Sequence, residues 1–128
     1  MALRVVRLGT PRHPGEGLRI GTVRHPPRGV RKEEFASRDF YDVWYPELSP
    51  SSALVKQALA AESDKEWAAF ARLFRKEMAS PDARHALDLL AALSHHTDLS
   101  VGCYCEDEAR CHRSVLRELL GEHGAEVV

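Results

Sequence analysis

The twelve residues Cys-Tyr-Cys-Glu-Asp-Glu-Ala-Arg-Cys-His-Arg-Ser, from Cys103 to Ser114, concentrate the reactive side chains of the chain. All three cysteines lie here, with one histidine and two arginines. The run reads as a strand end, a polar turn and the start of a helix. A helix N-terminus presents free amides and a partial positive charge, so it attracts anions and lowers the pKa of a nearby thiol. Cys111 is therefore the candidate nucleophile and His112 its proton carrier. Arg110, Arg113 and Ser114 are the candidate anion-binding groups on the same turn.

Plainer roles compete. His112 shares a helical stripe with Val115, Leu116 and Leu119, so it also reads as a buried histidine bonded to a backbone carbonyl. Cys103 and Cys105, two apart on a strand, point to one side, and packing alone explains Cys103. The Cys-x5-Arg loop of thiol phosphatases is absent: Cys105 stands too close to Arg110, and Cys103 too far from it. A third reading is a structural zinc ion held by Cys103, Cys105, Cys111 and His112. Against it, adjacent ligands on a helix diverge by about 100°. No metal and no cofactor is assigned from the sequence.

A second candidate element is Arg24-His25-Pro26-Pro27-Arg28-Gly29. Its rigid prolines and its glycine suit a loop that holds Arg24 and Arg28 toward a ligand. The alternative is a solvated basic turn. If this loop folds over the start of the last helix, Arg24 and Arg28 complete an anion pocket; otherwise they can pair with Glu106, Asp107 and Glu108.

The elements that must position these residues follow from pattern. Leu3 to Leu8 and Leu18 to Arg24 read as strands, separated by a Gly/Pro turn region. An aromatic stretch, Phe35, Phe40, Tyr41, Trp44 and Tyr45, ends at Pro46. Ser49-Pro50 reads as the cap of a helix through Leu54, Val55 and Leu59. Ser63-Asp64-Lys65-Glu66 is a capping box, followed by Trp67, Phe70, Ala71, Phe74 and Met78 on one face. Ser80-Pro81-Asp82 caps a third helix. Asp98 to Tyr104 reads as a strand, and a last helix is expected from about Ala109 to Leu120, with a short strand over Ala125 to Val128. The whole predicts one α/β domain over residues 1–128, with a mixed, mostly parallel sheet flanked by helices.

Composition sets the context. Apolar residues make up 44% of the 128, enough for one core without staples. No apolar run is long enough to span a bilayer, and arginines interrupt the N-terminus, so neither a membrane segment nor a signal peptide is expected. Three clustered cysteines do not make a secreted disulfide scaffold, which places the chain in the cytoplasm. Residues 1–32 carry a net +7 and the remainder −8. That asymmetry indicates either internal pairing or an anionic partner.

Three stretches resemble one family. Pro27-Arg28-Gly29-Val30 resembles the Trp-Pro-Arg-Gly-Val signature of domain of unknown function 488, which includes a YeaO-like branch. Trp44-Tyr45-Pro46-Glu47-Leu48-Ser49-Pro50-Ser51 is similar to its Trp-Leu-x-x-Leu-Ala-Pro-Ser segment. Cys103 to Ser114 is similar to its Cys-Ala-Glu followed by Cys-His-Arg-Ser. Pro26 stands where the family has tryptophan, and Cys105 where it has glutamate. The resemblance implies an α/β fold and cytoplasmic residence, with no reaction attached.

Two functional classes, beside structural zinc, follow from the sequence. One is an enzyme for a phosphate-bearing or otherwise anionic small molecule, with Cys111 and His112 at the chemistry and Arg24, Arg28, Arg110, Arg113 and Ser114 on the substrate. The other is a non-catalytic nucleic-acid or nucleotide-binding module using the basic segment and exposed aromatics. The sequence leaves the oligomeric state open.

Overall fold

A computed structural model describes residues 1–128. Four strands, β1 (Leu3–Arg7), β2 (Leu18–Gly21), β3 (Val43–Trp44) and β4 (Leu99–Cys103), form one sheet in the order β1-β4-β2-β3. Every pairing is parallel, so the sheet is uniformly parallel rather than mixed. The late strand β4 lies at the centre, with Val101 opposite both Val5 and Ile20. Buried on both faces, β4 is covered throughout its length, as a central parallel strand requires.

Four helices follow the capping signals: α1 (Ser52–Ala60), α2 (Asp64–Glu77), α3 (Pro81–Leu93) and α4 (His112–Glu122). Ser63 caps α2, accepting from the Glu66 N–H at 3.1 Å and donating to the Glu66 carboxylate at 3.0 Å. Ser80 and Pro81 start α3 as the sequence indicates. The cap of α1 is Ser51, not Ser49; Ser49 instead closes the preceding 3-10 turn by donating to the Pro46 carbonyl. Helices and sheet share one core, in which Phe70, Phe74, Leu87 and Leu116 have no exposed surface. Burying each such side chain contributes about 1.5–3 kcal/mol.

The helices therefore cover the sheet on the side of Leu99 and Val101, and the second apolar cluster has no helical member. It contains Val6, Leu8, Val23 and Tyr41, with Phe35 and Phe40 packed against it, all from strand ends and coil. Gly21 is required there: a Cβ would meet the Tyr41 ring at 2.3 Å. The basic N-terminal segment is paired internally only in part. Arg12 bridges Asp42 at 2.8 Å, and Arg19 bridges Glu16 at 2.7 Å.

Three further expectations are corrected. β2 ends at Gly21, because the chain turns away after Thr22 donates its N–H to the Gly102 carbonyl. The C-terminal residues form only a single bridge, Leu3 with Val127, rather than a strand. The last helix begins at His112. A separate 3-10 turn, Glu108–Arg110, precedes it, with Asp107 accepting from the Ala109 N–H. Between turn and helix, Cys111 is extended, at φ −127° and ψ 148°.

Candidate functional site

β2 and β4 end side by side, and the chain leaves each in coil. A cavity of about 830 Å³ opens there, beyond the carboxyl ends of the strands. The Arg24–Arg28 loop forms one wall, Val55, Ala58 and Leu59 of α1 another, and Cys103, Cys105, Cys111 and His112 the inner end. The loop and the Cys-His segment thus meet, and the Tyr104 hydroxyl donates to the His25 carbonyl at 2.9 Å to hold them together.

The extended backbone at Cys111 determines the inner end. Because Cys111 precedes the helix, the side chains of Cys111 and His112 do not diverge by a helical step. Both meet Cys103: the two sulfurs and one His112 nitrogen lie within 4.8 Å of one another, and all three residues are buried. Cys105 Sγ is 3.8 Å from Cys103 Sγ. His112 Nε2 lies 2.6 Å from the Thr22 carbonyl oxygen. A carbonyl only accepts, so Nε2 carries a proton, and Nδ1 faces Cys111 Sγ at 3.9 Å. Phe74 packs edge-on against the ring at 5.6 Å between centroids. His112 is thus the carbonyl-bonded buried histidine that its stripe suggests, with its second nitrogen turned to the thiols.

The thiols share their protons unevenly. The contacts with Cys105 and then Cys111 push the Cys103 thiol up, and burial adds to this. Cys105 is lowered despite partial burial, by its neighbouring thiols Cys103 and Cys111 first and by the Arg113 guanidinium. Cys111 is also lowered, by the Cys103 contact first and by His112.

Among the candidate substrate-binding groups, Arg24, Arg28 and Arg110 line the cavity with Cys111 and His112. Arg24 donates to the Pro50 and Ser49 carbonyls at 3.0 and 3.1 Å. Those acceptors are neutral, so its charge is not cancelled. Arg110 pairs with Asp64 at the start of α2. Arg28 is exposed, at the cavity rim, with no partner in the protein. Arg113 is buried and lies outside the lining; it donates to the Cys105 carbonyl at 2.6 Å, and its Nε is unpartnered. Ser114 also lies outside, turned back to the Cys111 carbonyl at 2.9 Å. Cys105, named from the sequence only as a possible zinc ligand, Phe40, named only within the aromatic stretch, and Tyr104, given no role, also line the cavity. The period-two spacing of Cys103 and Cys105 carried that signal for Cys105. Of the aromatic stretch, Tyr41 is buried, and Trp44, though exposed, donates its Nε1–H to the Val23 carbonyl at 2.8 Å.

A parallel sheet, a cavity at its carboxyl edge and a buried thiol–imidazole cluster define an α/β protein with a small-molecule-sized cavity. Residues 3–124 match the family model DUF488-N3a, described as the active DUF488-N3 subclade, and the chain belongs to this family. No curated protein and no solved structure matches it. No helix is long and apolar enough to cross a membrane.

Proposed function

We propose that the protein is an enzyme that takes a small molecule with an apolar body and an anionic group into the cavity, and works on it at the Cys111–His112 end. One observation carries this reading: the lining contains Arg24, Arg28, Arg110, His25 and His112 and not a single carboxylate. Asp64 cancels Arg110, which leaves Arg24 and Arg28 as uncompensated positive charge beside apolar walls. A volume of about 830 Å³ fits a ligand of nucleotide size. Arg28 contacts the anion, Arg24 shapes the loop and adds its field, and Arg113 stands behind Cys105. His112, held by Thr22, turns its free nitrogen to Cys111, the arrangement a thiol–imidazole pair needs to exchange a proton.

Phenyl phosphate, an aromatic ring carrying a phosphate, tests this reading by calorimetric titration into reduced, chelator-treated protein. Saturable one-site binding is expected, weakened about tenfold or more in Arg28→Ala, the value of a charged hydrogen bond. Absence of binding, or equal affinity in the variant, overturns the reading.

A further inference from the structure

The geometry points to Cys103, Cys111 and His112 as a binding site for one soft divalent transition-metal ion of the zinc class, its fourth position facing the cavity. This goes beyond the anion reading: the ion binds whether or not the cavity takes a substrate, and while it is bound Cys111 and His112 are its ligands and exchange no proton with each other.

Three observations carry it. The two sulfurs and one imidazole nitrogen already lie within 4.8 Å of one another, from two separate elements, β4 and the start of α4. Bond lengths of about 2.3 Å to sulfur and 2.0–2.1 Å to nitrogen give tetrahedral edges of about 3.6–3.8 Å, so the donors need to close by about 1 Å at most. The Cys111–His112 contact, 3.9 Å, is almost there. Second, the His112 ring is oriented as metal-bound imidazoles are: one N–H donates to a backbone carbonyl, here Thr22, which fixes the tautomer and points the other lone pair at the site. Third, a thiolate–thiolate–imidazole set selects zinc-like ions over magnesium or calcium. Three protein ligands with one position open are the pattern of a working rather than a structural zinc.

Adjacent ligands diverge by a helical step only if Cys111 and His112 both lie in the helix, and the helix starts at His112. The extended backbone at Cys111 removes that objection. On binding, Cys103 and Cys111 each release a proton to solvent, so the dication and two thiolates are neutral together. The fourth position is open to water or an anionic substrate, with the Cys105 thiol beside it, 3.8 Å from Cys103 Sγ.

Cobalt(II) titration of the reduced, metal-stripped full chain, without phosphate, tests the site. The expected result is saturation at one ion per chain, with a thiolate-to-cobalt charge-transfer band that stoichiometric zinc(II) abolishes. Cys103→Ser and Cys111→Ser each weaken binding by about a hundredfold or more, beyond the usual loss from an outer-shell change. Cys105→Ser keeps the band. X-ray absorption on the zinc-loaded wild type needs no variant and reads two sulfurs and one imidazole nitrogen. No charge-transfer band at stoichiometric cobalt, or a zinc shell of oxygen and nitrogen alone, overturns the proposal. Phenyl phosphate titration of the stripped protein reads the cavity alone, so the two failures are separable.

Discussion

Two buried polar clusters touch β4, one at Ser100 and one at Cys103, and they are built on opposite terms. In the first, Arg19 has no exposed surface and Glu16 is 2% exposed. Arg19 donates to both Glu16 oxygens at 2.7 and 2.9 Å, and to the Thr10 and Asp39 carbonyls. Glu16 also accepts from the Ser100 hydroxyl and the His13 N–H. Each charged group is matched, the contacts are short, and the cluster does not line the cavity. In the second, Cys103 and Cys111 are as deeply buried, at 6% and 2%, but their contacts are the long ones of sulfur, and the cluster opens on the cavity. A fully satisfied cluster holds a fold; one with donor atoms to spare beside a cavity is available for a ligand.

The largest effect that sharpens this contrast is on stability. Arg19→Ala leaves Glu16 charged, buried and unpaired, and is expected to cost about 3–5 kcal/mol. Denaturant unfolding reads it; a loss under 1 kcal/mol would break the contrast.

Acid follows. Burial alone would raise Glu16, but the bonds from Arg19, Ser100 and His13 outweigh it and hold its pKa at about 2, against an ordinary 4.5. A depressed carboxylate stabilises the fold above its unfolded pKa and loses that contribution as pH falls through the folded value. About 3 kcal/mol is therefore lost between about pH 5 and pH 2, and the gap between wild type and Glu16→Gln narrows over that window. A gap constant with pH contradicts the assignment.

Smaller effects are expected at the other cluster. Iodoacetamide should label Cys105, half-buried, well ahead of Cys103 and Cys111 in the folded, metal-free protein. Equal rates by peptide mass spectrometry would show that Cys103 and Cys111 are not shielded as their burial indicates. Smallest is the α2 cap: Ser63→Ala should cost about 1 kcal/mol and leave ligand binding unchanged.

The same contrast explains what was legible in the sequence. The Ser63 and Ser80 caps and the Phe70–Phe74 stripe are local signals, and all appear in the structure; β4 is a strand where its apolar residues indicate one, but it is buried throughout rather than on alternate residues. Strand β3 was not legible: it is two exposed residues, Val43 and Trp44, made a strand only by pairing with Ile20 and Gly21. The start of α4 was misplaced because Glu-Asp-Glu-Ala-Arg suits a 3-10 turn as well as a helix. That one boundary hid the convergence of Cys111 and His112 on Cys103. The arginines were visible as residues but not as partners. Nothing local to Arg113 says that it turns inward to the Cys105 carbonyl, or to Arg28 that it stays free.

The central claim is that the cavity between the Arg28 loop and the Cys111 segment takes an anionic small molecule. Amide NMR of the labelled, reduced, metal-free chain, titrated with phenyl phosphate, addresses it residue by residue. The account predicts saturable shifts confined to Val23–Arg28, Cys103–Cys105 and Arg110–His112, with Glu16, Arg19 and Ser100 silent. Shifts scattered over the surface, or none at all, would contradict it.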